Sequence, residues 1–203
     1  MGIAETTHHK LVKTITFTDT IRPFVLNHDS SLIYANINNL LGFEIADVAT
    51  GKIIHHVEVT GFGWPKNWQT SPRPRIPHGC PSHGIALTPD EREVWIVDGI
   101  NQYIHIFDNT QMPPRQIDSI KTMAGPYWIT ISLDGKLAYV SSGDVIEIKS
   151  RKIVGTMKDE YGRRMLSEKL LDMVFENGPL TQVVNQFGNG SAKAVPARRA
   201  SGK

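Results

Sequence analysis

Ser82-His83-Gly84-Ile85-Ala86-Leu87-Thr88-Pro89-Asp90-Glu91-Arg92-Glu93-Val94-Trp95-Ile96-Val97-Asp98 decides the architecture, because the chain writes the same phrase twice more. An earlier copy is Ile21-Arg22-Pro23-Phe24-Val25-Leu26-Asn27-His28-Asp29-Ser30-Ser31-Leu32-Ile33-Tyr34-Ala35-Asn36. A later one is Gly125-Pro126-Tyr127-Trp128-Ile129-Thr130-Ile131-Ser132-Leu133-Asp134-Gly135-Lys136-Leu137-Ala138-Tyr139-Val140-Ser141. Each copy is an apolar run, a tight polar turn around an aspartate, and a second apolar run ending in small or polar residues. Runs rich in β-branched and aromatic residues, punctuated by Asp, Gly, Asn and Pro, predict strands joined by hairpins.

Two further strands follow the first two copies. Leu41-Gly42-Phe43-Glu44-Ile45-Ala46-Asp47 and Ile53-Ile54-His55-His56-Val57-Glu58-Val59 flank a turn at Ala49-Thr50-Gly51-Lys52. Tyr103-Ile104-His105-Ile106-Phe107-Asp108 and Gln116-Ile117-Asp118-Ser119-Ile120 flank Asn109-Thr110-Gln111-Met112-Pro113-Pro114. Copy three is abbreviated, since Val145 to Val154 leaves room only for a shortened hairpin or one continuous outer strand. Asp90 and Asp134 lie 44 residues apart, the period of a four-stranded β-propeller blade. The fold predicted is therefore all-β, with about three four-stranded β-propeller blades and a partial one, as an open arc or part of a seven-bladed ring.

Asp29 and Asp90 are 61 residues apart, and the excess is a Pro/Trp-rich insertion at residues 61–81. Its prolines exclude a regular strand, and long loops on a rigid scaffold are where function concentrates. The blades are expected at about 21–60, 82–121 and 125–157, within a partial propeller over 10–187. His9 to Phe17 is expected as the outermost strand of a preceding blade whose partners are missing. Asn177-Gly178 predicts a C-terminal hairpin at about 168–185, although Leu166, Leu170 and Val174 also fit helical spacing. Residues 188–203 hold Lys193, Arg198, Arg199 and Lys203 without an acid and without apolar residues to offset ordering, so a disordered basic tail is expected.

Without those four cations, 18 basic residues face 20 acidic ones, so the folded part has no nucleic-acid footprint. No apolar run of eighteen residues suggests a membrane helix, and no leader peptide is evident at Met1. Cys80 is the single cysteine, so no intrachain disulfide can form.

Thr88-Pro89-Asp90-Glu91-Arg92-Glu93-Val94-Trp95-Ile96-Val97-Asp98, with Asn101 and Ile106-Phe107-Asp108, resembles the YVTN-type β-propeller repeat of YncE-like proteins. Ser132 to Ser141 follows the same template. The resemblance implies a ring of about seven blades, of which this chain would be the C-terminal part, completed by blades outside it or by other copies. It also implies relatives that are commonly periplasmic or secreted. Such propellers host binding modules, lactonases and dehydrogenase subunits alike, so activity does not follow from the repeat.

Two sets of candidate site residues emerge. Arg22, His83 and Tyr127 occupy equivalent positions where the chain enters each blade. With Trp128, and with Asn36 and Asp98 at the ends of second strands, they would line a channel mouth able to take a small ligand. His78, Cys80 and His83 form the one concentrated set of metal-capable side chains, fitting zinc or copper but short of a fourth ligand. Asp29, Asp90 and Asp134 read as turn formers, and Phe43, Trp95, Phe107 and Tyr139 as core between blades. The favoured reading is a non-enzymatic scaffold that binds a small molecule or protein partner through its loops and mouth. The alternative is a lactonase- or oxidoreductase-like enzyme with a metal-assisted site near His78, Cys80 and His83.

Overall fold

The computed structural model describes residues 1–65, 79–167, 170–171 and 173–183. Every regular element among them is a strand. A hairpin of β1 (Gly2–Glu5) and β2 (Lys10–Thr14) comes first. Three four-stranded antiparallel sheets follow, each in sequence order. The first blade is β3 (Ile21–Leu26), β4 (Leu32–Ile37), β5 (Gly42–Asp47) and β6 (Lys52–Glu58). The second is β7 (Ile85–Leu87), β8 (Glu93–Asp98), β9 (Tyr103–Asp108) and β10 (Arg115–Lys121). The third is β11 (Ile129–Ile131), β12 (Leu137–Val140), β13 (Asp144–Glu147) and β14 (Lys152–Thr156). A last hairpin pairs β15 (Met173–Phe175) with β16 (Leu180–Val183).

Two local expectations change. The strand over Lys10–Thr14 is not alone, because β1 pairs along it from Gly2↔Thr14 to Glu5↔Lys10. The abbreviated third copy keeps both outer strands, joined by the four residues 148–151. The C-terminal segment is a hairpin, with Asn177 and Gly178 both at positive φ (54° and 101°) as a type I′ turn requires. Residues 66–78, which hold His78 and most of the insertion, and the tail at 188–203 lie outside the described residues.

The strands of the second blade are apolar on both faces because that blade is pressed between the other two. Along β8, Val94 and Ile96 pack on the first blade with Tyr34, Phe43 and Ile45. The intervening Trp95 and Val97 pack on Ile129, Ala138 and Val140 of the third. Side chains alternate across a strand, so one six-residue segment serves two seams. Phe43 and Phe107 meet edge-on across the first seam, with centroids 5.1 Å apart and planes at 89°. Ile33, Ala35 and Ile37 of β4 face the other way, onto Ile15, Phe17 and Ile3 of the N-terminal hairpin region. Phe43, Trp95 and Phe107 are thus inter-blade core. Tyr139 is only half-buried: among the described residues it lines a cavity with Thr130, Met157, Leu170 and Leu171 rather than a seam between two blades.

The aspartates behave as local turn chemistry demands. Asp90 Oδ1 accepts from the Arg92 amide (3.1 Å) and the Thr88 hydroxyl (2.7 Å), and Asp134 repeats this with Lys136 (3.0 Å) and Ser132 (2.7 Å). Asp29 accepts from the Ser31 amide at 2.9 Å. Each is followed by a left-handed residue, Ser30, Glu91 or Gly135.

Candidate functional site

Antiparallel order puts two kinds of segment at the same end of the arc: those leading into β3, β7 and β11, and the turns after β4, β8 and β12. The described parts of the insertion arrive there too. Phe62 meets Tyr103 at a tilt and His105 edge-on, with ring centroids 4.8 and 4.6 Å away, and the Asn101 side-chain amide donates to the Gly63 carbonyl at 3.0 Å. This end of the molecule is the candidate site.

Its residues differ sharply in exposure. Arg22, His83 and Tyr127 are half-buried. Arg22 Nε donates to Asn38 Oδ1 (2.7 Å), and His83 Nδ1 lies 3.5 Å from the Tyr127 carbonyl oxygen, so the lead-in segments of the second and third blades touch. The Tyr127 and Trp128 amides both donate to Ser141 Oγ (2.7 and 3.0 Å). Beside Tyr127 a cavity of about 260 Å³ opens, lined also by Ala124, Ser141, Leu166 and Ser167.

Trp128, Asn36 and Asp98 are enclosed. The backbone of Trp128 closes on Gly84 so tightly that a Cβ there would sit 2.9 Å from the Trp128 Cα. Asn36 donates to the Gly42 carbonyl at 3.0 Å, while its own side-chain carbonyl is buried with no protein partner among the described residues. Such an orphan acceptor is uncommon and calls for a water or ligand donor. Asp98 is saturated: it accepts from the Ile100 and Asn101 amides (3.0 and 2.8 Å) and the Asn101 side chain (2.6 Å), and it pairs with His105 Nε2 (3.1 Å).

His105 is the functional-looking residue that the sequence alone does not single out. Its Nδ1 meets Ser119 Oγ at 2.8 Å, so Asp98, His105 and Ser119 form a relay across β8, β9 and β10. A hydrolase needs an open nucleophile and an oxyanion site next to such a relay. Here His105 is fully buried, Phe62 covers its ring, and the Gln116 amide donates to Ser119 Oγ at 3.2 Å. The relay ties three strands together. Only a buried histidine amid an apolar strand hints at it in the sequence.

Cys80 is likewise structural in its surroundings. Its thiol is buried and donates to the Ile37 carbonyl at 3.3 Å, and burial pushes its pKa up to about 12. A metal-binding thiolate at that position would have to be desolvated first. Among the described residues no three His, Cys, Asp or Glu side chains cluster as metal ligands. Among the same described residues no helix is long and apolar enough to cross a membrane.

At the opposite end a cleft of about 440 Å³ runs between the Asp90 and Asp134 turns. Its Arg151 is bridged to Glu93 (2.7 Å) and to Asp118 (3.2 Å), so that cation is already committed to joining the second and third blades.

Comparison with known proteins agrees on architecture. No protein-family profile matches the chain, and no curated protein does. Among solved structures it is similar to Kuenenia stuttgartiensis hydrazine synthase, with a TM-score of 0.60 and 19% identity over 85% of this chain and 45% of that one. It is also similar to U3-55K and to the WD40 repeats of RRP9, each with a TM-score of 0.53, 13% identity and 70% of this chain covered. This chain spans less than half the length of each. At these identities the likeness establishes a β-propeller-like fold, which the blades independently display.

Proposed function

We propose that this protein is a non-enzymatic propeller scaffold of the YVTN, YncE-like kind, whose lead-in segments and insertion bind a small molecule or protein partner. One observation carries the reading. Arg22, His83 and Tyr127 stay half-buried at the end where Phe62 arrives, with a cavity beside Tyr127, whereas the Asp98–His105–Ser119 relay is closed. A mouth of mixed polar and aromatic groups beside a closed relay is suited to holding rather than transforming. The loops supply the surface, and the blades supply rigidity.

The test is a selection of peptides and small molecules on the 203-residue chain, followed by titration against the Arg22→Ala/Tyr127→Ala double variant. Binders of the native protein should lose at least tenfold in affinity with the variant, while its unfolding midpoint changes little. Turnover of a lactone or amine by the purified protein, or binders indifferent to both substitutions, would remove the reading. Zinc or copper retained stoichiometrically after dialysis would favour the metal-assisted alternative around His78, Cys80 and His83.

A further inference from the structure

At the end opposite the mouth, the turns that join first to second strands approach one another across each seam, and the two seams differ there. Aligned on Asp29, Asp90 and Asp134, the residue before the aspartate is His28, Pro89 or Leu133, and the residue after it is Ser30, Glu91 or Gly135. At the first seam the His28 amide donates to Glu91 Oε1, which ties the turns of the first and second blades together. At the second seam both halves of that bond are missing. Pro89 has no N–H to donate, and Gly135 has no side chain to accept. The two residues still come close, since a Cβ on Gly135 would lie 3.3 Å from Pro89 Cδ, but the space beside them is open. It forms the cleft of about 440 Å³ between the second and third blades. That volume falls within the range of small-ligand sites.

The charges lining the cleft are unequally engaged. Each of its carboxylates is held by the protein itself. Asp90 Oδ1 accepts from the Thr88 hydroxyl (2.7 Å) and the Arg92 amide (3.1 Å). Asp134 accepts from the Ser132 hydroxyl (2.7 Å) and the Lys136 amide (3.0 Å), and pairs with the Lys136 ammonium at 2.9 Å. Glu93 takes the Trp95 indole N–H at 2.8 Å and the Arg151 guanidinium at 2.7 Å. Arg151 is spent on that carboxylate and on Asp118. The side chains of Arg92 and Lys149 line the same cleft and make no hydrogen bond or ion pair among the described residues. They come from different blades, Arg92 from the turn between β7 and β8 and Lys149 from the turn between β13 and β14.

We propose that this cleft binds a small organic dianion, a phosphate monoester or a dicarboxylate, held between Arg92 and Lys149. A guanidinium offers paired N–H donors to an oxyanion, and an ammonium offers a movable point charge. Two such cations from two blades suit a ligand with two negative charges, whereas a monoanion engages one of them. The bound ligand would bridge the second and third blades where the repeat lacks its own tie, in the role that His28 and Glu91 fill at the first seam. The cleft lies at the other end of the blades from Arg22, His83 and Tyr127, so the inference does not rest on what the mouth holds.

Phenyl phosphate, succinate and propionate are titrated into the 203-residue chain at an ionic strength of about 0.15 M, where screening leaves only short-range charge pairs. Amide NMR shifts should place saturable binding of at least one dianion at Asp90, Arg92, Gly135 and Lys149, about tenfold tighter than propionate. The tighter of the two dianions identifies the acidic group. Arg92→Ala and Lys149→Ala should each weaken that binding by about fivefold. Both side chains are exposed, so neither substitution should disturb the β-sheet circular dichroism. Lys52→Ala, which removes an exposed cation of the first blade, should leave the affinity unchanged. No saturation by either dianion up to about 10 mM would overturn the proposal. So would shifts spread over the surface rather than gathered in the cleft, or an equal loss of affinity in Lys52→Ala.

Discussion

At Cys80 a single side chain reports on the seam between the first two blades. Its thiol is buried, donates to the Ile37 carbonyl and is shifted upward to about 12. A raised pKa means the folded state favours the neutral thiol. The corresponding stability is complete below pH 9, the ordinary value, and is lost as pH rises toward 12. Native protein at pH 8 should therefore react with a disulfide reagent at a rate set by opening of the structure, far slower than in urea. Equal rates in both conditions would contradict this burial. Asp134 moves in the opposite direction. Hydrogen bonds from Lys136 and Ser132 hold its carboxyl at about 2 rather than 3.8, so its contribution is present above pH 3.8 and disappears as pH falls toward 2. A carboxyl-carbon NMR titration of Asp134 should show a midpoint near 2, and one near 3.8 would refute the turn geometry. The aspartate turns were legible because their chemistry is local, each partner lying two residues away. The Asp98–His105–Ser119 relay was not, because its partners are brought together only when three strands align.

Among the elements, the seams hold far more energy than the ion pairs that decorate them. Phe107 is buried edge-on to Phe43, and truncation to alanine should cost about 3–5 kcal/mol. Arg151 bridges Glu93 and Asp118 from a position that is 28% exposed, and Arg151→Ala should cost only about 1 kcal/mol after solvent screening. Urea unfolding of the two variants checks the order, and a reversed order would mean that charge rather than packing joins the blades. The blade strands could be read from the sequence since their apolar runs are long and bounded by turns. Gly2–Glu5 escaped because a four-residue strand with Gly and Ala has no hydrophobic period to betray it. Its identity lies instead in the Glu5–Lys10 pair and the skipped Val12, a pattern that becomes visible only once Asp47–Lys52 and Glu147–Lys152 are aligned with it.

For the whole molecule, stability is a chain of neighbour contacts, as in other repeat architectures. The second blade, packed on both faces, should show the slowest amide exchange. The β15–β16 hairpin, with Met173, Phe175 and Leu180 exposed, should exchange fastest. Faster exchange in the second blade than in that hairpin would contradict this order of stability. The three-blade arc was legible at this scale because the repeat is written three times. Which of the polar positions face outward was not, since Asn36, Asp98 and Trp128 look like Arg22, His83 and Tyr127 until the adjoining blade encloses them.

The segment that follows each blade crosses the turn after that blade's second strand, which imposes an order of events during synthesis. Residues 79–82 cap the first blade, residues 125–127 the second and residues 164–167 the third. A blade emerging from the ribosome thus stays unsealed until the opening residues of its successor have followed it out. Consolidation must then run from the amino-terminal side onward, one module behind translation, with each newcomer serving as the latch for its predecessor.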